Sequence, residues 1–201
     1  MRARGSRRPE PRRLGVLISG RGSNLKAIID AIEQRRLDAS IAIVISNRAE
    51  APGLEHARRA GIDTLVLDHR EFKSREDYDR VLVKALKDRG VAVVCLAGFM
   101  RLLSPVMVEA FPDRILNIHP SLLPKYPGLR PQQQALDDGA TVSGATVHVV
   151  NKDLDAGPIV LQRQVPVLPG DTERTLADRI LEAEHALYPD AIAAVLDPAE
   201  P

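Results

Sequence analysis

Tryptophan is absent from this 201-residue chain, and aromatic side chains make up only 3% of it. Any core must therefore be aliphatic, built from Val, Ile, Leu and Ala. Cysteine occurs once, as Cys95. A lone cysteine forms no internal disulfide, which points to a reducing, cytoplasmic setting. Its place inside Val91-Ala92-Val93-Val94-Cys95-Leu96-Ala97 reads as a small buried core residue rather than a nucleophile. No stretch approaches the roughly 20 apolar residues that a membrane helix needs. Charge of one sign is also scarce: the net charge is +1, and residues 1–13 alone hold six Arg and one Glu. Taking their +5 from that +1 leaves −4 for the body. A mildly acidic body argues against nucleic acid as the main partner. Residues 1–13 contain no apolar segment and fit neither a secretory signal nor an amphipathic transit peptide. They read as a disordered Arg-rich tail.

The 44% of hydrophobic residues suits one compact domain with a real core. Apolar runs alternate with helical patterns. Strands are expected at 14–19, 41–46, 64–67, 91–97 and 115–118. Between them, helices are expected at 23 to about 36, 52–60, 74 to about 88 and 104–110, the last capped by Ser104 with Pro105 next. This alternation predicts the α/β class, with a doubly wound, mostly parallel sheet. Two later runs, 144–150 and 159–167, lie too close for a crossover and are expected to pair antiparallel as an appended hairpin. A final helical stretch from 172 to about 196 is expected to break near Pro189.

Three places carry chemistry. Ser19-Gly20-Arg21-Gly22-Ser23-Asn24 joins the first strand to the first helix. Its glycines allow a tight turn, and the free N–H groups opening the helix favour a phosphate. The third Gly of a dinucleotide fingerprint is replaced by Leu25, so one phosphate is expected rather than a dinucleotide; a βα turn without ligand is the alternative. Asn117-Ile118-His119-Pro120 ends a strand, where alternation turns Asn117 and His119 to one side and Pro120 keeps His119 extended. An amide able to bind an oxyanion thus sits beside an imidazole able to move a proton. The segment 97–103 leaves a neighbouring strand end, where ligands of open α/β sheets bind, and Phe99-Met100 could line an apolar slot. Leu154-Asp155-Ala156-Gly157-Pro158 is ordinary turn chemistry unless Asp155 lies beside His119, where a carboxylate would orient the ring. His119, His148 and Asp155 could be a metal triad, but no His-x-x-x-His or Cys-x-x-Cys spacing supports one. Ser121 is in no nucleophile elbow and reads as a turn hydroxyl.

From 14 to 196 the chain resembles the folate-dependent formyltransferases, in particular those acting on glycinamide ribonucleotide in purine synthesis. The likeness rests on Ile18-Ser19-Gly20-x-Gly22-Ser23-Asn24, Leu96-Ala97-Gly98-Phe99-Met100-Arg101 and Asn117-Ile118-His119-Pro120-Ser121-Leu122-Leu123-Pro124. It extends to Tyr126-Pro127-Gly128-Leu129, Leu154-Asp155-x-Gly157-Pro158 and Glu184-His185-x-x-Tyr188-Pro189. The resemblance implies formyl transfer from 10-formyltetrahydrofolate to the substrate's amine, with no metal. It implies Gly22, Ser23, Asn24 and Glu184 as contacts of glycinamide ribonucleotide. It implies a folate slot of Arg75, Met100, Arg101, Leu102 and Leu103 with Asn117, Asn151, Lys152, Asp153, Leu154 and Asp155. Asn117, His119 and Asp155 would be the catalytic trio, supported by His148. One domain over 14–201 would carry the phosphate-binding half at about 14–112 and the catalytic, folate-binding half at about 113–201. The family commonly carries histidines where this chain has Arg130-Pro131-Gln132.

Related activities remain as alternatives. A methionyl-tRNA formyltransferase would carry a further C-terminal domain and a basic surface, and a formyltetrahydrofolate hydrolase an extra N-terminal domain; neither is expected here. A nucleotide-binding module without catalysis is the non-enzyme alternative, against which the intact Asn117, His119 and Asp155 count. Small molecules are the expected partners, without membrane or nucleic acid, for a monomer or homodimer.

Overall fold

A computed structural model describes residues 12–197. Seven strands form one sheet in the order β3-β2-β1-β4-β5-β6-β7. They are β1 (Arg12–Ile18), β2 (Ala39–Ser46), β3 (Thr64–Val66), β4 (Val93–Leu96), β5 (Ile115–His119), β6 (Val142–Val149) and β7 (Ile159–Pro166). The first five run parallel, and the β6–β7 hairpin joins β5 antiparallel, as the short connection predicted. Arg12 and Arg13, placed in the tail by the sequence reading, instead open β1 opposite Ala39 and Ser40. The rest of the Arg-rich segment, residues 1–11, lies outside the described residues.

Alternation along β1 divides the core. Leu14, Val16 and Ile18 join one cluster with α1 (Ser23–Glu33), α2 (Gly53–Arg59) and α6 (Glu173–Leu196). Leu17 turns to the opposite cluster, with α3 (Arg75–Lys87) and α4 (Pro105–Ala110). Both faces of the parallel strands are thus covered, which is why these strands read as continuous apolar runs.

Three expectations need correction. The last helix does not break at Pro189: α6 runs unbroken from Glu173 to Leu196. Pro189 removes one backbone donor, but it lies on a face that buries Leu187, Tyr188, Ala191, Ile192 and Leu196, and that packing holds the helix across the missing bond. The segment after Arg130, read as loop, contains α5 (Pro131–Asp137), with Pro131 in its first turn. The signal was present, since Pro at a helix start and Gly139 beyond its end are helix punctuation. Ser104 precedes α4 with extended backbone but makes no side-chain cap. Its backbone N–H instead donates to Asp79 Oδ2 at 2.6 Å.

The chain winds from β1 outward through β2 and β3, then crosses back to place β4 on the other side of β1. The connections leaving β1 and β4 therefore diverge and open a crevice at their carboxyl ends. On one side the turn before α1 is pressed against the start of α2. Gly53 N donates to Gly20 O at 3.0 Å. A Cβ on Gly53 would meet Gly22 Cα at 2.9 Å and Ile18 Cδ1 at 2.8 Å. Gly53→Ala is expected to destabilise the fold by about 1–3 kcal/mol through overpacking, measured by denaturant unfolding; an unchanged midpoint would contradict this contact.

Candidate active site

One cavity of about 770 Å³ opens at the crevice. Asn117 and His119 reach it from the end of β5, and His148 reaches it from β6. Their adjacency is a matter of register, for Asn117 pairs directly with His148 across β5 and β6. The 98–103 segment after β4 lines a second wall, including Met100, Arg101, Leu102 and Leu103, and Arg75 reaches it from the start of α3. The 150–155 loop lines another wall with Asn151, Lys152, Asp153, Leu154 and Asp155. Asn24 from α1 and Glu184 from α6 complete it. Gly22 and Ser23 do not border this cavity. Ser23 borders a second one of about 410 Å³, with Lys26, His56 and His185.

Asp155 is the convergence point. Its φ is 49°, a left-handed conformation that Asp tolerates better than most residues. Its loop is held close to the hairpin, since a Cβ on Gly157 would collide with the Val149 carbonyl. The carboxylate is 8% exposed. It accepts from Gly128 N at 2.9 Å, lies 3.5 Å from His119 Nδ1, and lies 3.6 Å from His148 Nε2. Burial alone would raise its pKa. The Gly128 N–H and the charge of the His119 ring oppose burial and hold it below the ordinary carboxylate value.

Hydrogen-bond logic fixes the two rings. His119 Nε2 lies 2.9 Å from the Tyr126 carbonyl. A carbonyl only accepts, so this nitrogen carries its hydrogen. Nδ1 then faces the Asp155 carboxylate, which also only accepts. In His148, Nδ1 faces the Val149 carbonyl at 3.2 Å and is likewise the protonated nitrogen. Nε2 is left to accept from the Asn117 Nδ2 amide at 3.1 Å. That contact sets which way the Asn117 amide faces and leaves its second N–H for a ligand. His119, His148 and Asp155 do meet, as the metal reading required, but around the carboxylate rather than around a common vacant point. Among the described residues no group of three or more His, Cys, Asp or Glu side chains is arranged to hold a metal ion.

The walls differ in chemistry. Met100, Leu102, Leu129 and Leu154 are 59–78% exposed around the mouth, an apolar rim suited to a flat ring. Arg101 stacks over the Tyr78 ring at 5.0 Å. On the opposite wall, Asn24 Nδ2 donates to Glu184 Oε2 at 2.7 Å. Asn24 Oδ1 is buried without a partner, an acceptor free for a ligand hydroxyl. Burial pushes the Glu184 carboxyl above its ordinary value, against the opposing hydrogen bond from Asn24.

The sequence reading missed two backbone contributors, the Tyr126 carbonyl and the Gly128 N–H. Their signal was Tyr126-Pro127-Gly128, a turn in which both Tyr126 (φ 57°) and Gly128 (φ 77°) are left-handed. It also missed Gly53, whose partner Gly22 lies 31 positions earlier in the chain.

The chain is similar to known proteins in sequence and in fold. The family model described as formyl transferase matches residues 12–192. The phosphoribosylglycinamide formyltransferase of Escherichia coli is 51% identical over 89% of this chain and 84% of its own length. The trifunctional purine biosynthetic protein adenosine-3 of Drosophila pseudoobscura pseudoobscura is 53% identical over 92% of this chain, which spans only 14% of that larger protein. The crystal structure of glycinamide ribonucleotide transformylase 1 from Symbiobacterium toebii superposes with a TM-score of 0.90, at 54% identity, covering 91% of this chain and 86% of that one.

Glu184 yields a pH prediction. A carboxyl with a raised folded value contributes its full stability below the ordinary glutamate range, and that contribution falls as pH rises through the folded value. Glu184→Gln keeps an acceptor for Asn24 but cannot ionise. Its Tm is expected to match wild type below the ordinary glutamate range, near about pH 4, and to exceed it increasingly as pH rises above that range. Thermal unfolding across that range checks this, and a pH-independent gap would contradict it.

Proposed function

The chain belongs to the formyl transferase family, and on that premise we propose that it transfers the formyl group of 10-formyltetrahydrofolate to the amine of glycinamide ribonucleotide. The products are N-formylglycinamide ribonucleotide and tetrahydrofolate, in purine biosynthesis. One observation carries the reading above the others: Asn117, His119, His148 and Asp155 meet in one cavity, between an apolar rim and the Asn24–Glu184 wall. We assign the chain to the cytoplasm. Its single cysteine, Cys95, is free and buried, and no helix among the described residues is long and apolar enough to cross a membrane.

The acceptor occupies the phosphate-loop side. The first N–H groups of α1 have no partner within their own helix, and with the Ser23 hydroxyl they receive the phosphate. Asn24 Oδ1 and Glu184 take the sugar hydroxyls. The donor's flat ring enters between residues 100–103 and 151–155, with Arg75 reaching its outer end.

The acceptor amine adds to the formyl carbon of the donor, and that carbon's bond to the folate nitrogen then breaks, so that tetrahydrofolate leaves. Asn117, held by His148, donates its remaining N–H to the oxygen on which negative charge develops. Such a preoriented donor is worth about 10²–10³ in rate. His119, held by Tyr126 and Asp155, gives a ring proton to the departing folate nitrogen and takes in exchange the proton that leaves the amine. Positioned acid–base catalysis contributes roughly 10²–10⁴. Asp155 keeps the His119 ring oriented. A single domain that begins at Arg12, where β1 starts, carries both the phosphate-binding and the catalytic half.

Incubation with glycinamide ribonucleotide and 10-formyltetrahydrofolate tests the reading. Formylation of the amine is expected. Release of formate would instead identify a hydrolase, and binding without turnover an inactive module. Asn117→Ala is expected to lose about 10²–10³ in kcat and His119→Ala about 10²–10⁴. Near-full turnover by either variant, correctly folded, would overturn its role.

A further inference from the structure

A string of hydrogen bonds runs along the carboxyl edge of the sheet, outside the catalytic cluster. It follows the spatial order of the strands rather than the order of the chain. His69, in the 3₁₀ turn after β3, lies with Nδ1 3.3 Å from Asn47 Nδ2. Asn47 follows the end of β2, and its Oδ1 accepts from Ser19 Oγ at 2.6 Å. Ser19 follows the end of β1, and its Oγ accepts from Met100 N at 2.9 Å. Met100 lies beyond the end of β4. The backbone reinforces the last link, since Ser19 N donates to Gly98 O at 3.1 Å. Ser19 and Asn47 are each 3% exposed. The Ser19–Asn47 bond is therefore shielded from water, and both bonds of the Ser19 hydroxyl have a definite direction.

We propose that Ser19 is a positioning residue for the formyl donor. Its hydroxyl accepts from one ligand loop and donates to the scaffold. Its backbone leads directly into the other ligand loop, Gly20-Arg21-Gly22. Ser19 thereby fixes the Gly98–Met100 turn, one wall of the donor slot, at a set distance from the phosphate loop. Asn47 acts behind it: with its Oδ1 taking the Ser19 hydrogen, the lone pairs of Ser19 Oγ are left for Met100 N. In the turn itself Gly98 has φ 75° and Met100 is 65% exposed. Little else on the Met100 side chain therefore holds it in place. The interaction is local to the slot, since Ser19 lines neither cavity and touches the chemistry only through Met100.

This inference rests on the formyl-transfer reading, and the test separates the two. Steady-state kinetics are measured on the full chain for wild type, Ser19→Ala, Asn47→Ala, the double variant and Ser19→Thr, with unfolding midpoints for each. Losing one buried hydrogen bond is expected to raise the KM for 10-formyltetrahydrofolate about five- to tenfold in Ser19→Ala. The kcat and the KM for glycinamide ribonucleotide should stay within about twofold, as a positioning role predicts. Asn47→Ala should shift the donor KM in the same direction. The double variant should be no worse than Ser19→Ala alone, because both act through one contact. Ser19→Thr, which keeps the hydroxyl, should recover the donor KM. The proposal is overturned if the donor KM does not move. It is equally overturned if both KM values and kcat change in parallel with the unfolding midpoint, or if the two single effects simply add. Wild-type protein inert toward both substrates would refute the formyl-transfer reading instead.

Discussion

The arrangement depends on one buried carboxylate. Asp155 is a negative charge almost removed from water, and such a charge is costly unless it is paired and hydrogen-bonded. Its partners come from two places, the end of β5 through His119 and the 126–130 turn through Gly128 N, while the His148 ring of β6 lies 3.6 Å away. Both partners are distant from Asp155 in the sequence. Satisfying this one group therefore fixes the relative positions of a strand end and two loops. The same contacts leave Asn117 and His119 with donors set before any ligand arrives, so little reorganisation is needed when charge develops.

Topology supplies the space around that charge. The parallel strands cross back at β1 and β4, so their connections part, and the two ligand loops leave from opposite sides of the gap. The hairpin then closes the open side of β5. The site carries several features that a stability optimum would avoid. Asp155 and Tyr126 hold left-handed backbone, Glu184 is a buried carboxyl, and Asn24 Oδ1 has no partner. Each is intelligible as preparation for a ligand, and the rest of the fold offsets its cost.

Much of this was legible in the sequence, for identifiable reasons. The sheet class followed from apolar runs alternating with helical periodicity, and the hairpin from a connection too short for a crossover. Asn117 and His119 were legible because strand alternation is a strict period of two. What stayed hidden depended on distance or on backbone. The Asn117–His148 contact needs the β5–β6 register, which no local pattern encodes. The Tyr126 carbonyl and Gly128 N–H carry no side-chain signature at all. Continuity of α6 through Pro189 was decided by tertiary packing, which overrode a correct local rule. The start of α5 at Pro131 was the reverse: its helix punctuation, Pro at the first turn and Gly139 beyond the end, was plain in the sequence. Arg130 turns out to be the left-handed residue before that helix, paired with Glu173 at the start of α6.

The central claim is that Asp155 and two backbone carbonyls hold the two imidazoles in different, defined protonation patterns. Nitrogen-15 spectra of histidine-labelled protein read those patterns directly. For His119 the account predicts a hydrogen on Nε2, bonded to the Tyr126 carbonyl. For His148 it predicts a hydrogen on Nδ1 and a bare Nε2 accepting from Asn117. A bare Nε2 on His119 would contradict the account, because the ring would then have no reason to lie between Tyr126 and Asp155.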